Sequence, residues 1–304
     1  MTQSSKLKVL FPIDIVHTHP EYLVTLKELL PLPDISLNLL YVREELPAFE
    51  TTLATMADFP QDLSHQIENK AKEVLAEFAA KLKPECGEVA TEVVSGPPAL
   101  MIESVAKEDN YDLLVISPGT HSKVETYLLG TTTERVVKHA DTSVLILRLA
   151  KGASQFKNVV IGVDGSDESI EATSRAVKLF GLDKRDVKVT VVNVVSVTGI
   201  FKYISPASFV ASVEDNLMMS GEAILAQTNK LLTDCGVKKI ETKLADGDPV
   251  TEILKVIADV QADLVIVGGQ GRSALERFLL GGVSSRLATH APCSTAVFKR
   301  PRAR

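Results

Sequence analysis

The chain repeats itself at an offset of 151 residues, and that property limits its fold more than any other. Residues 112–148, DLLVISPGTHSKVETYLLGTTTERVVKHADTSVLILR, align without a gap on residues 263–299, DLVIVGGQGRSALERFLLGGVSSRLATHAPCSTAVFK. Asp112 meets Asp263, Ser122 meets Ser273, Glu125 meets Glu276 and Leu128 meets Leu279. Gly130, Arg135 and His139 fall on Gly281, Arg286 and His290. Upstream, KVLFPIDI (8–15) matches NVVIGVDG (158–165), and VVSGPPALMIESVA (93–106) matches LADGDPVTEILKVI (244–257). A unit of this length is a domain, not one turn of a solenoid. Two similar domains are therefore expected, residues 1–150 and 151–304, joined near RLAKGASQFK (148–157).

Within each half, short apolar runs alternate with stretches of helical periodicity. In the second half NVVIGV, KVTVVNVV, ETKLA, DLVIVG and STAVFK read as strands, while SIEATSRAVKLFGL and DPVTEILKVIADV carry apolar residues at spacings of three and four. Unbroken Val, Ile and Leu runs suit parallel strands covered on both faces, so each half reads as an α/β domain with helices on both sides of its sheet. With no Trp and 5% aromatic residues, the cores must be aliphatic. The final strands, TSVLILR (142–148) and STAVFKR (294–300), would each leave a bare apolar edge. They are expected to pair with each other, antiparallel, making one chain an intramolecular pseudo-dimer; a further homodimer is left open.

Ligands of such sheets collect beyond the carboxyl ends of the strands, where strand order reverses. Asp164, Asn193, Val194 and Gly268 fall at those ends. The stretch GGQG follows one strand and precedes a predicted helix, SALERFLL; GGVSS then opens the next helix, VSSRLATHA. Glycine lets an anion approach the backbone closely, and a helix start offers N–H groups to it. Two such turns in one unit, with Ser284 and Ser285 as hydroxyl donors, suit a chain of phosphates. The bland alternative is that these glycines merely permit tight turns.

The spacing Gly-x2-Gly-x9-Gly after the fourth strand resembles the nucleotide motif of the universal stress protein family, and VVIGVDGSDES and GDPVTEIL resemble that family's first loop and third-strand exit. The likeness spans nearly the whole chain, twice. It implies two tandem Rossmann-like domains, each a five-stranded parallel sheet of order 3-2-1-4-5. It also implies binding of ATP, AMP or ADP, with or without magnesium, and no dedicated chemical step. Carried over by that resemblance, Val163 and Asp164 would lie by adenine and ribose, and Val194 would offer backbone groups to adenine. Gly268, Gly271 and Arg272 would take the phosphates from one side, and Gly281, Gly282, Val283 and Ser284 from the other. The chain departs from the pattern in two places. Gly282 stands where a Ser or Thr is expected, and the first half carries Ser117 and Thr120 in place of glycines, with Pro118 between them. One nucleotide site per chain, in the second half, is the expectation.

Other chemistries are weakly represented. Gly271-Arg272-Ser273 lacks the lysine of a phosphate-binding kinase loop. The acidic GVDGSDES is not the glycine fingerprint of a dinucleotide domain. No general base is placed at the phosphates, so a binding module ranks ahead of a slow ATPase, and a nucleotide-independent interaction scaffold is a third reading. His17 and His19 read as loop residues; His139 and His290 read as structural groups near helix ends. Asp248 reads as a helix cap before Pro249. Cys86, Cys235 and Cys293 show no metal spacing and read as reduced, mostly buried thiols. A net charge of -6 argues against nucleic acid as a partner, and the basic KRPRAR reads as a frayed, solvated terminus. No signal-peptide core or membrane span is visible, so a cytoplasmic protein is expected, its protein partner unidentified.

Overall fold

The computed structural model describes residues 6–16, 19–45, 63–118, 129–149, 156–196, 206–269 and 281–300. The first half runs β1 (Leu7–Pro12), α1 (Glu21–Leu29), β2 (Ile35–Arg43), α2 (Leu63–Leu82), β3 (Glu88–Ser95), α3 (Pro98–Glu108), β4 (Leu113–Ile116), α4 (Thr131–His139) and β5 (Ser143–Ile146). The second half repeats the order: β6 (Asn158–Gly162), α5 (Asp167–Phe180), β7 (Lys188–Val195), α6 (Ala207–Asp234), β8 (Lys239–Asp246), α7 (Pro249–Val260), β9 (Leu264–Gly268), α8 (Gly282–His290) and β10 (Ser294–Phe298). Helix starts follow local chemistry. Ser166 caps α5 by accepting from the Ser169 N–H at 3.2 Å, and Gly181, with φ at +61°, ends it. Asp248 caps α7 as expected, accepting from the Thr251 N–H at 3.0 Å with Pro249 in the first turn. Those hydrogen bonds from Thr251 hold its carboxyl below the usual carboxylate range.

Each half is a parallel sheet of order 3-2-1-4-5, and the two sheets are one. The ten strands run β3-β2-β1-β4-β5-β10-β9-β6-β7-β8. The seam is antiparallel, with Val144, Leu145 and Ile146 opposite Val297, Ala296 and Thr295, so the two last strands pair as the edge argument requires. The core is continuous across the seam on both faces. One face packs apolar residues of α1, α2, α5 and α6, and the other those of α3, α4, α7 and α8. Among the described residues no helix is long and apolar enough to cross a membrane. Cys86 and Cys293 are buried and Cys235 half-buried, all as free thiols; burial pushes the Cys293 thiol up to about 12.

The seam is fastened by a reciprocal pair of cations. Arg148, just past β5, donates through Nη2 to the carbonyls of Ala288 at 3.1 Å and Thr289 at 2.9 Å, at the end of α8. Lys299, its equivalent past β10, donates through Nζ to Val137 at 3.3 Å and Lys138 at 3.4 Å, at the end of α4. The backbone is pinned likewise: the Arg148 N–H donates to Ser294 Oγ at 3.1 Å, and the Lys299 N–H to Ser143 Oγ at 3.2 Å. Each contact maps onto the other at the 151-residue offset. Helix ends leave carbonyls without donor partners, and a cation there also complements the macrodipole. This corrects one expectation. The start of KRPRAR is not a frayed, solvated terminus, since Lys299 is drawn onto α4 and Arg300 pairs with Glu168; residues 301–304 lie outside the described residues, as do His17 and Thr18.

Arg148→Met should cost about 1–3 kcal/mol in denaturant unfolding, because buried carbonyls lose their donor. For Lys299 the expected signature is a pH dependence. Burial pushes its amine down to about 8, with Glu103 opposing, whereas an unfolded lysine titrates near ~10.4. Between those values the unfolded state binds more protons, so this group's contribution to stability rises with pH. Thermal unfolding of the wild type should therefore gain on Lys299→Met between roughly pH 7.5 and 10. A difference that stays flat or falls over that window would contradict the buried amine.

Candidate functional site

In the second half, the sheet reverses direction of growth between β6 and β9, since β6 is followed by β7 on one side and β9 lies on the other. Gly162 pairs with Val192 on β7 and with Val267 on β9, which sets the ends of three strands side by side. Just past β6, the buried Val163 donates its N–H to the Val192 carbonyl at 2.9 Å. Asp164 follows, and its Oδ1 accepts from the Ser166 N–H at 2.9 Å and the Ser166 hydroxyl at 2.6 Å. Gly165 between them has φ at +75°, a left-handed turn that a side chain would strain. Val194 lies half-buried near the end of β7, opposite Ala245.

The end of β9 is knitted to the start of α8. Gly269 donates its N–H to the Phe298 carbonyl at 2.7 Å, and the Gly281 N–H donates to Gly269 at 2.8 Å. The Ser284 hydroxyl donates to the Gly268 carbonyl at 2.5 Å. Gly281 is the N-cap of α8, with φ -60° and ψ 148° and no side-chain cap. The first intrahelical bond runs from the Ser285 N–H to Gly281 at 2.9 Å, so the N–H groups of Gly282, Val283 and Ser284 have no acceptor within the helix. No acidic residue stands in the first turn of α8. Among the described residues, a Cβ placed on Gly282 would meet nothing within 4 Å.

Val163, Asp164, Val194, Gly268, Gly281, Gly282, Val283 and Ser284 are thus gathered at one end of the sheet. Gly271 and Arg272 lie outside the described residues, as do Glu276 and the helix expected over SALERFLL. Ser284 differs from the expected role in one respect. Its side chain is buried and its hydroxyl serves Gly268, so what it can present outward is its backbone N–H. The arrangement can hold an anion at a helix start, with the carboxylate of Asp164 just past the end of β6 for a donor-rich group. Among the described residues no cluster of three or more His, Cys, Asp or Glu could hold a metal ion.

Behind these strand ends, Asn193, which the sequence already marks at the end of its strand, takes a structural role, and Gly221, which it does not mark, supports it. Asn193, nearly fully buried, donates through Nδ2 to the Val163 carbonyl at 2.7 Å and so fixes the turn into Asp164. Gly221, inside the long helix α6, makes room for it, because a Cβ there would sit 2.7 Å from Asn193 Oδ1 and 2.5 Å from Leu244 Cδ1. The available signals were a lone amide in KVTVVNVV and a glycine within a helix, a costly choice without a packing reason.

The first half builds the same frame. Ile13 donates to the Leu40 carbonyl at 2.8 Å, Asp14 Oδ1 accepts from the Val16 N–H at 2.9 Å, and the Thr133 hydroxyl donates to the Ser117 carbonyl at 3.1 Å. Gly130 caps α4 as Gly281 caps α8. Three differences matter. Thr131 replaces Gly282, Tyr41 takes the register position of Asn193, and Glu134 stands in the first turn of α4. Burial, and then the nearby Asp14, raise the Tyr41 hydroxyl above its ordinary range, with Arg43 opposing. Thr120 lies outside the described residues.

Comparison with known proteins agrees with this duplicated frame. A model of the universal stress protein family matches residues 7–148 and, separately, residues 155–299. A protein named as a universal stress protein in Staphylococcus aureus (strain USA300) is 38% identical over 146 residues, covering 47% of this chain and 84% of that protein. The crystal structure of a universal stress protein from Archaeoglobus fulgidus superposes at a TM-score of 0.62 and 20% identity, covering 98% of this chain and 99% of the other. A functionally unknown protein from Pseudomonas aeruginosa gives 0.65 at 12% identity, with 98% and 94% covered. At such identities the two structures speak to the fold.

The two glycines should respond oppositely to a side chain. Gly221→Ala should destabilise the protein by about 1–3 kcal/mol, because Leu244 and Asn193 must give way. Gly282→Ala should change stability by no more than about 0.5 kcal/mol in the same denaturant titration, as is usual at an open surface position.

Proposed function

Because the chain belongs to the universal stress protein family, we propose that it is a cytoplasmic stress-response or regulatory protein that binds an adenine nucleotide, ATP, AMP or ADP, in its second domain, residues 151–304. Residues 1–150 form the companion domain. The observation that carries the reading is the start of α8. It has backbone N–H groups without intrahelical acceptors, no acid in the first turn and no crowding at Gly282 from the described residues, and it sits against the strand end that Gly268 terminates. An anion placed there meets aligned donors and the positive end of the helix dipole. Asp164, across the strand ends, is suited to accept from the hydroxyls of a ribose. Gly271 and Arg272 would complete the phosphate side, with Val163 and Val194 along the base.

Binding rather than turnover is the activity this supports. Hydrolysis needs an aligned water and charge stabilisation at the leaving phosphate. The carboxylate of Asp164 is engaged by the backbone N–H and hydroxyl of Ser166.

Calorimetric titration of the full chain with ATP should give one site per chain. Gly282→Ser should tighten it about fivefold, because a hydroxyl hydrogen bond is worth on the order of 1 kcal/mol. Steady-state turnover should stay below the roughly 1–100 per second of kinases. Two equivalent ATP sites per chain, or no nucleotide binding at all, would overturn the reading.

A further inference from the structure

The hydrogen-bond ladder between β6 and β7 stops before β7 does. Along a parallel strand, successive residues turn their N–H and carbonyl groups to one neighbour and then the other. Lys188 donates to the Lys157 carbonyl at 2.7 Å, and Val192 accepts from the Val163 N–H at 2.9 Å, so both face β6. Val195 faces the other way, accepting from the Gly247 N–H at 3.0 Å beside β8. Val194 therefore turns its N–H and carbonyl to the β6 side. The next rung there is a bond from the Val194 N–H to the Val163 carbonyl. Among the described residues it is not made.

A side chain takes the Val163 carbonyl instead. Asn193 Nδ2 donates to it at 2.7 Å, and both residues are buried. The orientation of this amide is fixed, because the reverse would set its oxygen against the carbonyl oxygen. Its Oδ1 lies 2.7 Å from where a Cβ on Gly221 would stand, and has no hydrogen-bond partner among the described residues. A leucine in this place would bury no unpaired oxygen, so what the amide contributes is its donor. In the first half the ladder makes the matching last rung, Ile13 donating to the Leu40 carbonyl at 2.8 Å, and Tyr41 stands where the amide would be.

We propose that Asn193 is a positioning residue for the base of the bound nucleotide. By holding the Val163 carbonyl, the amide caps the ladder and leaves the N–H and carbonyl of Val194 to the ligand. A base edge with an acceptor beside a donor, as in adenine, matches those two groups of one residue. Val163 leads directly into Asp164, so the same bond also sets that carboxylate relative to Val194. Without the amide, the next donor along the ladder for a buried carbonyl is the Val194 N–H, and closing that rung withdraws the group that meets the base. Asn193 thus acts through Val163 and Val194, not by touching the ligand. The inference rests on the proposed nucleotide reading and deepens it.

Asn193→Asp is the test, because a protonated carboxyl can donate to the Val163 carbonyl and an ionised one cannot. Binding of ATP and of inorganic tripolyphosphate, which has no base, is measured by calorimetry on the full chain, wild type and variant, across pH. At about pH 8 the variant should bind ATP about tenfold more weakly than wild type, while tripolyphosphate binds both alike. Burial raises the pKa of a carboxyl, so the gap for ATP should narrow as pH falls toward about 5. Should the variant not fold, amide exchange in the wild type decides. Val194 should exchange faster than Val192 in the free protein, and should slow on adding ATP but not tripolyphosphate. Equal weakening of ATP and tripolyphosphate, unchanged ATP affinity, a gap independent of pH, or a Val194 amide already slow in the free protein would each overturn the proposal while ATP binding itself stands. Wild type that binds no ATP overturns the nucleotide reading, and this inference with it.

Discussion

Strands β5 and β10 meet antiparallel, and nearly everything else in the molecule follows from their needing each other. Both are fully buried strands, aliphatic and small residues throughout except for Phe298, and either one alone would end its sheet in a row of unpaired N–H and C=O groups beside an apolar surface. Pairing them closes both edges at once. It also fixes the symmetry of the chain, because an antiparallel seam between two similar halves places equivalent residues in reciprocal contact. The side-chain and backbone contacts of Arg148 with the second half reappear as those of Lys299 with the first.

That symmetry ties the seam to the clefts. The antiparallel seam points the carboxyl ends of the strands of the two halves in opposite directions. Helices α4 and α8 each begin at a cleft, and each has its last carbonyls held by the cation of the opposite half. The helix dipole thus has a cation at its negative end in both cases. At the positive end the halves differ: α4 has its own Glu134 and α8 has none.

Much of the fold was legible in the sequence because it follows from patterns the chain must display. The repeat shows in aligned residues, the parallel sheets in unbroken aliphatic runs, and the seam in two closing strands with nowhere else to go. What was not legible has a shared physical cause. Arg148 and Lys299 bind main-chain carbonyls, and a carbonyl acceptor has no residue type by which to foresee it. Ser284 was legible as a hydroxyl at a helix start, but a hydroxyl can turn outward to a ligand or inward to a strand, and only packing decides. Asn193 stood out as an amide in an aliphatic strand, while its partnership with Gly221 joins elements distant in sequence. The first half read as an eroded motif, because missing glycines are visible in sequence and the surviving hydrogen-bonded frame is not.

The claim on which the account turns is that the two halves are one cooperative body joined at β5 and β10. Native-state hydrogen exchange under rising denaturant tests it directly. The slow amides of Val144, Leu145, Ile146, Thr295, Ala296 and Val297 should open only with global unfolding, at the same free energy as the slowest amides of β1 and β6. If the seam amides exchange through a lower-energy opening while the two halves keep separate protection levels, the chain is two independent domains in contact, and the account is wrong.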